Sequence, residues 1–295
     1  MHSRLSKAGS LLWLAPAILV LIGFVYVPLV QNFGFATSKW DIYSGSQEFV
    51  GMRNFELLVH DPIFWRSLGN NLLYALVSIV FQVGGALVIA ALIESVRNRR
   101  IRNSLRVVYF IPSAISITVS GLLFYFIYEP NIGMLNSFLD SLGLHALAQP
   151  WLGQESTAMV SIIAMSQWQG FGYSALLFTV AIQRIPSELY EAAEIDGIGA
   201  VRRFFTITVP LVREMTGLMM IVTISGAFQV FNEVMVMTTG GPNNSTQVLG
   251  TWLYRNGFVR NDFGYAAAIA VVIFVLSLAI GLAQLWYTRK RRVEV

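Results

Sequence analysis

Six apolar runs, each about twenty residues or longer, constrain this chain more than any other feature. They lie at about 11–30, 68–93, 105–128, 158–182, 211–235 and 266–287. A helix rises roughly 1.5 Å per residue, so about 20 mostly apolar residues cross a hydrocarbon core of roughly 30 Å. Backbone amides find no water in lipid, so a spanning run must close its own hydrogen bonds as helix. Only 12% of the 295 residues are charged, against about 25% in a typical soluble domain. The expectation is an all-α integral membrane protein, with residues 1–295 forming one transmembrane domain of six helices.

The first run invites a second reading. Arg4 and Lys7 precede it, and Gly34-Phe35-Ala36 follows it like a weak cleavage site. A secretory signal, however, carries about 7–15 apolar residues. This run is longer, so it reads as a retained helix.

Basic residues set the orientation, because they accumulate on the cytoplasmic side. With both termini inside, fifteen of the twenty Lys and Arg fall on cytoplasmic segments, including Arg97, Arg99, Arg100, Arg102 and Arg106. Lys39, Arg53, Arg66, Arg255 and Arg260 remain outside. The segment at about 183–210 is then cytoplasmic. The outer connections near 34–67 and 129–157 are long enough to cap a bundle but too short for a domain.

The 183–210 segment is a polar, charged stretch between two long apolar runs. Pro186-Ser187-Glu188 suits a helix start, with Ser187 as a cap and early acids favouring the helix dipole. Gly197 and Gly199 suit its end. Tyr190, Ala193, Glu194 and Gly197 share one side at helical spacing, where little bulk would keep another surface away. Arg202-Arg203-Phe204-Phe205 reads as an interfacial stretch, and Pro210 as the opening of the fifth span. On these grounds alone, a plain amphipathic surface helix is the ordinary reading.

The spacing says more. Glu191, Ala192, Ala193, Gly197, Ile207 and Pro210 match the "EAA" loop of membrane subunits of binding-protein-dependent ABC importers, and Val209 replaces a leucine of that pattern. The chain resembles that family over nearly its whole length after about residue 10. The resemblance implies the type I importer permease fold and a bacterial inner-membrane location. It also implies that this loop is the handle gripped by a separate ATPase. Glu188, Glu191, Ala192, Ala193, Asp196, Gly197, Ile207 and Pro210 are the coupling residues it suggests. The implied partners are two ATPase subunits, a second permease subunit, an extracytoplasmic substrate-binding protein and membrane lipid. No nucleic acid is expected. ATP and Mg belong to the ATPase, since a Gly-rich nucleotide loop with its lysine is absent here.

Phe228-Gln229-Val230-Phe231-Asn232-Glu233, running into Thr238-Thr239-Gly240-Gly241-Pro242, resembles the carbohydrate branch of that family, which serves oligosaccharides and glycerol phosphate. Many members carry Asp where Asn232 stands, so a role for an acid there does not transfer. A sugar route needs amides and aromatic rings facing the bundle interior. Gln82, Tyr125, Gln167, Trp168, Gln169, Tyr173, Gln229, Asn232 and Glu233 are the candidates. The competing reading of each is helix–helix hydrogen bonding or an interface aromatic. Gly170 and Gly172 beside them suggest a close helix approach or a kink.

No catalytic or metal-binding constellation is expected. The chain has no cysteine, and its three histidines, His2, His60 and His145, lie far apart. Glu94 and Glu214 fall near cytoplasmic ends of spans and Glu233 toward an outer end, which leaves mid-depth without ionisable groups. That argues against the main alternative, a proton-coupled carrier of six helices. An intramembrane enzyme would need a Ser/His, paired-Asp or zinc set, and none is visible.

Overall fold

A computed structural model describes residues 7–40 and 45–289. It is helical nearly throughout. We number its helices as follows. α1 (7–36) runs Lys7–Leu21, widens into a π-turn over Ile22–Tyr26, and resumes over Val27–Ala36. α2 is Arg53–His60, α3 Pro62–Ser95, α4 Arg99–Ala114, α5 Ile117–Ile127, and α6 Met134–Ser141. α7 is Glu155–Ile182, α8 Ser187–Ile195, α9 Ala200–Leu211, and α10 Arg213–Phe228. α11 is Asn232–Met237, α12 Leu249–Tyr254, and α13 Phe263–Arg289.

The chain divides into two compact units. One comprises 1–61 and 253–275, the other 62–252 and 276–295. In the first, α1 ends in a two-stranded antiparallel hairpin, β1 (Ser38–Trp40) and β2 (Gln47–Phe49), with Ser38 opposite Phe49. Asn54 of α2 staples it by donating to the carbonyls of Ala36 and Ser38 at 2.9 and 3.0 Å. Gly264 of α13 lies so close to the Ser38 carbonyl that any Cβ would collide with it. Trp40 stacks on Phe35 with ring centres 4.5 Å apart, and Tyr265 donates to Asp61 at 2.6 Å. The long outer connection expected from 34 therefore carries a hairpin and a short helix. It begins later, because α1 extends to Ala36.

The second unit is built around α7. This helix packs against α3, α4, α5, α10 and α11. Its Ile162, Met165 and Phe178 are fully enclosed. One apolar cluster joins Tyr74, Ile162, Met165, Val234 and Val248. Another joins Val83, Ala90, Phe178 and Met219. Asn71 of α3 ties in the segment after α11 by donating to the Ala227 carbonyl (2.6 Å) and accepting from the Leu249 amide (2.9 Å). The Thr238–Pro242 segment forms the expected turn, with Gly240 at φ +89° and the Gly241 amide bonded to the Thr238 carbonyl at 2.9 Å.

Two spans expected as single helices are broken. The run at 105–128 turns by 91° between α4 and α5, and the run at 211–235 is entered through a 72° turn between α9 and α10. Each break follows a proline, Pro112 or Pro210, whose missing N–H and ring disfavour an uninterrupted α-helix. The fifth run also ends early, at Phe228. Three residues pass before α11 begins at Asn232, with Phe231 outside helical geometry at φ −152°.

Among the described residues, Trp13–Ala36, Pro62–Ser95 and Phe263–Ala283 are long and apolar enough to cross a membrane. Counting each bent pair once raises the number to five. α7 has the length, at 28 residues, but Ser166, Gln167 and Gln169 dilute its hydropathy. Those polar groups are tolerated because neighbouring helices surround them. Most of α1 by contrast is exposed and apolar, with Trp13 at 82% and Phe24 at 80%, as befits a helix whose solvent is lipid.

Candidate coupling helix and translocation path

α8 starts one residue earlier in logic than its sequence suggests. Pro186 occupies the N-cap and Ser187 is the first helical residue, with no side-chain cap. This corrects the expected capping role of Ser187. Proline is suited to a helix entrance because the N–H it lacks would be unpaired there anyway. The other end closes as a Schellman turn. The Ile198 amide donates to the Ala193 carbonyl (2.8 Å) and the Gly197 amide to the Glu194 carbonyl (3.1 Å), with Gly197 at φ +71°. No atom lies within 4 Å of a Cβ built there, so conformation rather than space demands the glycine.

Tyr190 and Ala193 do not face open space. Ala193 is buried and Tyr190 shares a hydrogen bond of 2.9 Å with Thr208, while Glu194 pairs with Arg203 at 3.1 Å yet stays 64% exposed. The groups that reach this side come from the chain's own 203–208 segment. Glu188, Glu191, Ala192 and Asp196 are exposed, together with Ile195 at 87%. Ile207 is half-buried in the π-turn Phe204–Thr208, and Pro210 is exposed inside α9. Pro210 therefore precedes the break at Val212, and α10 opens at Arg213.

A second tie near this end was not foreseen. Arg106 of α4 grips Glu94 of α3 through three contacts of 2.6–3.0 Å, and Gln183, just past α7, donates to the same carboxylate at 3.3 Å. Three segments, α3, α4 and the stretch just past α7, are joined at one carboxylate. Sequence alone offers Glu94 and Arg106 only as two charges at neighbouring span ends.

The candidate path residues divide into two groups. Gln82 donates to Gln167 (3.0 Å), which donates onward to Ser78 (3.0 Å). Gln169 donates to the Ile115 carbonyl at 3.0 Å. Ser113 donates to the Gln169 carbonyl (2.6 Å) and accepts from the Tyr173 amide (2.9 Å). The three glutamine side chains thus knit helices together across the α4–α5 break and the π-turn of α3. Tyr125, Trp168, Tyr173, Gln229 and Asn232 are exposed. Trp168 begins an aromatic series through Phe124 (5.1 Å) and Tyr128 (5.5 Å) to Trp151 (6.4 Å).

Glu233 faces the interior. It is buried in the first turn of α11, where the Tyr74 hydroxyl donates to it at 2.7 Å, and Tyr74 also bonds Ser166. A carboxylate is thereby enclosed by the bodies of α3 and α7. The two glycines give close approach and no kink. A Cβ on Gly172 would overlap the Tyr109 carbonyl, one on Gly170 would meet Gln82 at 2.8 Å, and α7 continues unbroken through both.

Comparison with known proteins gives this geometry its context. Residues 83–293 match the family described as "Binding-protein-dependent transport system inner membrane component". The chain is 45% identical over 283 residues to a probable ABC transporter permease, YurN, of Bacillus subtilis, covering 96% of this chain and 97% of that one. It is 31% identical over 281 residues to the arabinooligosaccharides transport system permease AraP of the same organism, covering 95% and 88%. Its backbone superimposes with a TM-score of 0.84 on a chain of a bacterial alginate ABC transporter, crystallised with an alginate pentasaccharide-bound periplasmic protein. That chain is 23% identical, with 96% of each covered. The fold is that of a type I importer permease, and this chain belongs to the family of binding-protein-dependent transport system inner membrane components.

Proposed function

We propose that this chain is one of two permease subunits of an ATP-driven saccharide importer in a bacterial inner membrane. It crosses the membrane six times, with both termini cytoplasmic and α7 as the least apolar, most enclosed crossing. A separate pair of ATPase subunits binds and hydrolyses ATP with Mg. An outer binding protein delivers the saccharide; the similar alginate transporter was crystallised in complex with a periplasmic protein bound to an alginate pentasaccharide. The arabinooligosaccharide relative supports a carbohydrate cargo.

The observation that carries this reading is the construction of α8. It offers Glu188, Glu191, Ile195 and Asp196 outward, while Tyr190–Thr208 and Glu194–Arg203 fasten it to the segment entering α10. A partner that moves α8 therefore moves α9 with it, and the 72° break at Val212 passes that motion to α10. ATP-driven closure of the partner would bias the permease between inward- and outward-open states by making different contacts in each. Gln229 and Asn232, exposed at the broken end of α10, and Trp168 with Tyr173 on α7 line the route.

Glu191→Lys and Gly197→Trp test it. Both variants should insert and assemble yet lose ATP-dependent uptake, the first by reversing an exposed charge and the second by forcing a bulky residue to φ +71°. Undiminished uptake in both, at normal membrane abundance, would remove the coupling role.

A further inference from the structure

At the α7 end away from α8 lies a cleft of about 440 Å³. The 28 residues of α7 separate it from the coupling helix by roughly 40 Å. Tyr125, Tyr128, Glu129, Leu152, Thr238 and Pro242 are among its walls. It combines residues at the end of α5, the stretch before α7 and the turn after α11.

Most polar groups in these walls are already committed. The Tyr128 hydroxyl donates to the Ser161 carbonyl at 3.3 Å, so this residue offers only ring surface. Thr238 bonds Thr246 at 2.8 Å and the Val234 carbonyl at 3.1 Å. Tyr125, 47% exposed as a residue, has an accessible face. Glu129 is held in one pose. Its Oε2 accepts from the amides of Ile132 (2.6 Å) and Asn131 (2.7 Å), and its Oε1 from Asn131 Nδ2 (3.3 Å). A carboxylate has about four acceptor positions, so one remains open on Oε1. These donors, the Ile132 amide foremost, also hold the carboxyl below its usual range, keeping it charged.

No lysine, arginine or histidine lines the cleft among the described residues. Arg66, which reaches the neighbouring Asn243 carbonyl at 3.2 Å, is paired with Glu155 at 3.9 Å. The cleft thus offers aromatic surface, one fixed hydroxyl acceptor and an uncompensated negative charge. Ring faces and a carboxylate suit the hydroxyl-rich, C–H-faced surface of a sugar. A uronate or a sugar phosphate would bring a second negative charge to a site with nothing to neutralise it.

We propose that this cleft is an outer vestibule site for an uncharged saccharide, with Tyr125 stacking on the sugar face and Glu129 accepting a hydroxyl while excluding acidic sugars. The inference rests on the saccharide-importer reading and narrows its substrate class.

The test uses the membrane complex as purified with its own partners in nanodiscs, without the binding protein. Binding of maltotriose and xylotriose is compared with that of trigalacturonate and alginate trisaccharide by saturation-transfer NMR. The neutral sugars should bind at least about tenfold tighter, a difference of about 1.4 kcal/mol. Glu129→Gln keeps an acceptor for Ile132 and Asn131 but removes the charge. It should close that gap about three- to tenfold by admitting acidic sugars. Tyr125→Ala should weaken neutral sugars about tenfold, and Tyr125→Phe, which keeps the ring, should restore most of it. Equal binding of acidic and neutral sugars by the natural chain, or a gap unmoved by Glu129→Gln, overturns the vestibule. If cells still show ATP-dependent saccharide uptake that needs this chain, the importer reading survives that result. Absence of any such uptake overturns both.

Discussion

The Tyr74 hydroxyl donates to the Glu233 carboxylate across 2.7 Å, joining the body of α3 to the first turn of α11. Ser166 of α7 completes the cluster. A single phenol therefore holds two partners that lie 92 and 159 residues further along the sequence. It also supplies the enclosed carboxylate with a partner, without which burial would be costly.

Tyr74→Phe should destabilise the protein, because it keeps the ring but leaves Glu233 and Ser166 without their common partner. A lost hydrogen bond to a charged acceptor costs about 1.5–3 kcal/mol. Thermal unfolding in detergent should show a clear drop in Tm, with Glu233→Gln closer to the natural chain because its amide oxygen still accepts. An unchanged Tm for Tyr74→Phe would mean the cluster carries no weight.

Apolar runs made the helical class readable, since hydrophobic length is a local property. The breaks were less readable. Pro112 and Pro210 were visible, but a proline near a span is tolerated in several ways, and only packing decides whether the chain bends by 72° or 91°. The glutamines show a further limit. Gln82, Gln167 and Gln169 have the chemistry of a sugar path and also of helix–helix ties. α7 is enclosed on so many sides that its sequence carries almost no face signal to choose between them. Gly197 was legible as the end of α8, because glycine readily takes the left-handed turn that closes a helix. The open side of α8 was not, because the surface covering Ala193 comes from residues ten or more positions later.

The Arg106–Glu94 pair is a bidentate contact with little solvent, the side chains being 23% and 12% exposed. Arg106→Lys retains the charge but not the fork, so it should cost about 1–2 kcal/mol of stability. Glu94→Gln should cost a similar amount and also loosen Gln183. A double-mutant cycle on thermal or denaturant unfolding checks this, and simple additivity of the two changes would show that the residues do not interact.

Gly172→Ala should be among the most damaging small substitutions. Its Cβ would overlap the backbone carbonyl of Tyr109, which cannot rotate away like a side chain. Overpacking of this kind costs about 1–3 kcal/mol. Gly226→Ala, with open space around the new methyl, is the control in the neighbouring helix α10. Membrane abundance and Tm should fall for Gly172→Ala alone, and equal behaviour of the two would place α4 farther from α7 than the structure has it.

Gly197 separates conformational from steric demands. At φ +71° an alanine is strained by about 1–2 kcal/mol, whereas nothing crowds its methyl group. Gly197→Asn should be milder, since asparagine adopts this region more readily. Uptake should therefore rank natural chain, Asn, then Ala, with the bulky Trp variant lowest. If Ala equals the natural chain, the Schellman turn is not what fixes the orientation of α8.

Glu129 gives a prediction about pH with a definite sign. Amides of Ile132 and Asn131 stabilise its ionised form, so its folded-state pKa lies below the ordinary carboxylate value. A group depressed in this way contributes fully above its unfolded pKa, and the contribution is lost only as pH falls through the lower folded value. Both the turn it caps and the charge it presents to the cleft should therefore be constant from pH 8 to pH 5. Discrimination between maltotriose and trigalacturonate should be flat over that range in the natural chain and reduced throughout in Glu129→Gln. Discrimination that fades between pH 7 and pH 5 would point to a histidine-like group and away from Glu129 as the source of the selectivity.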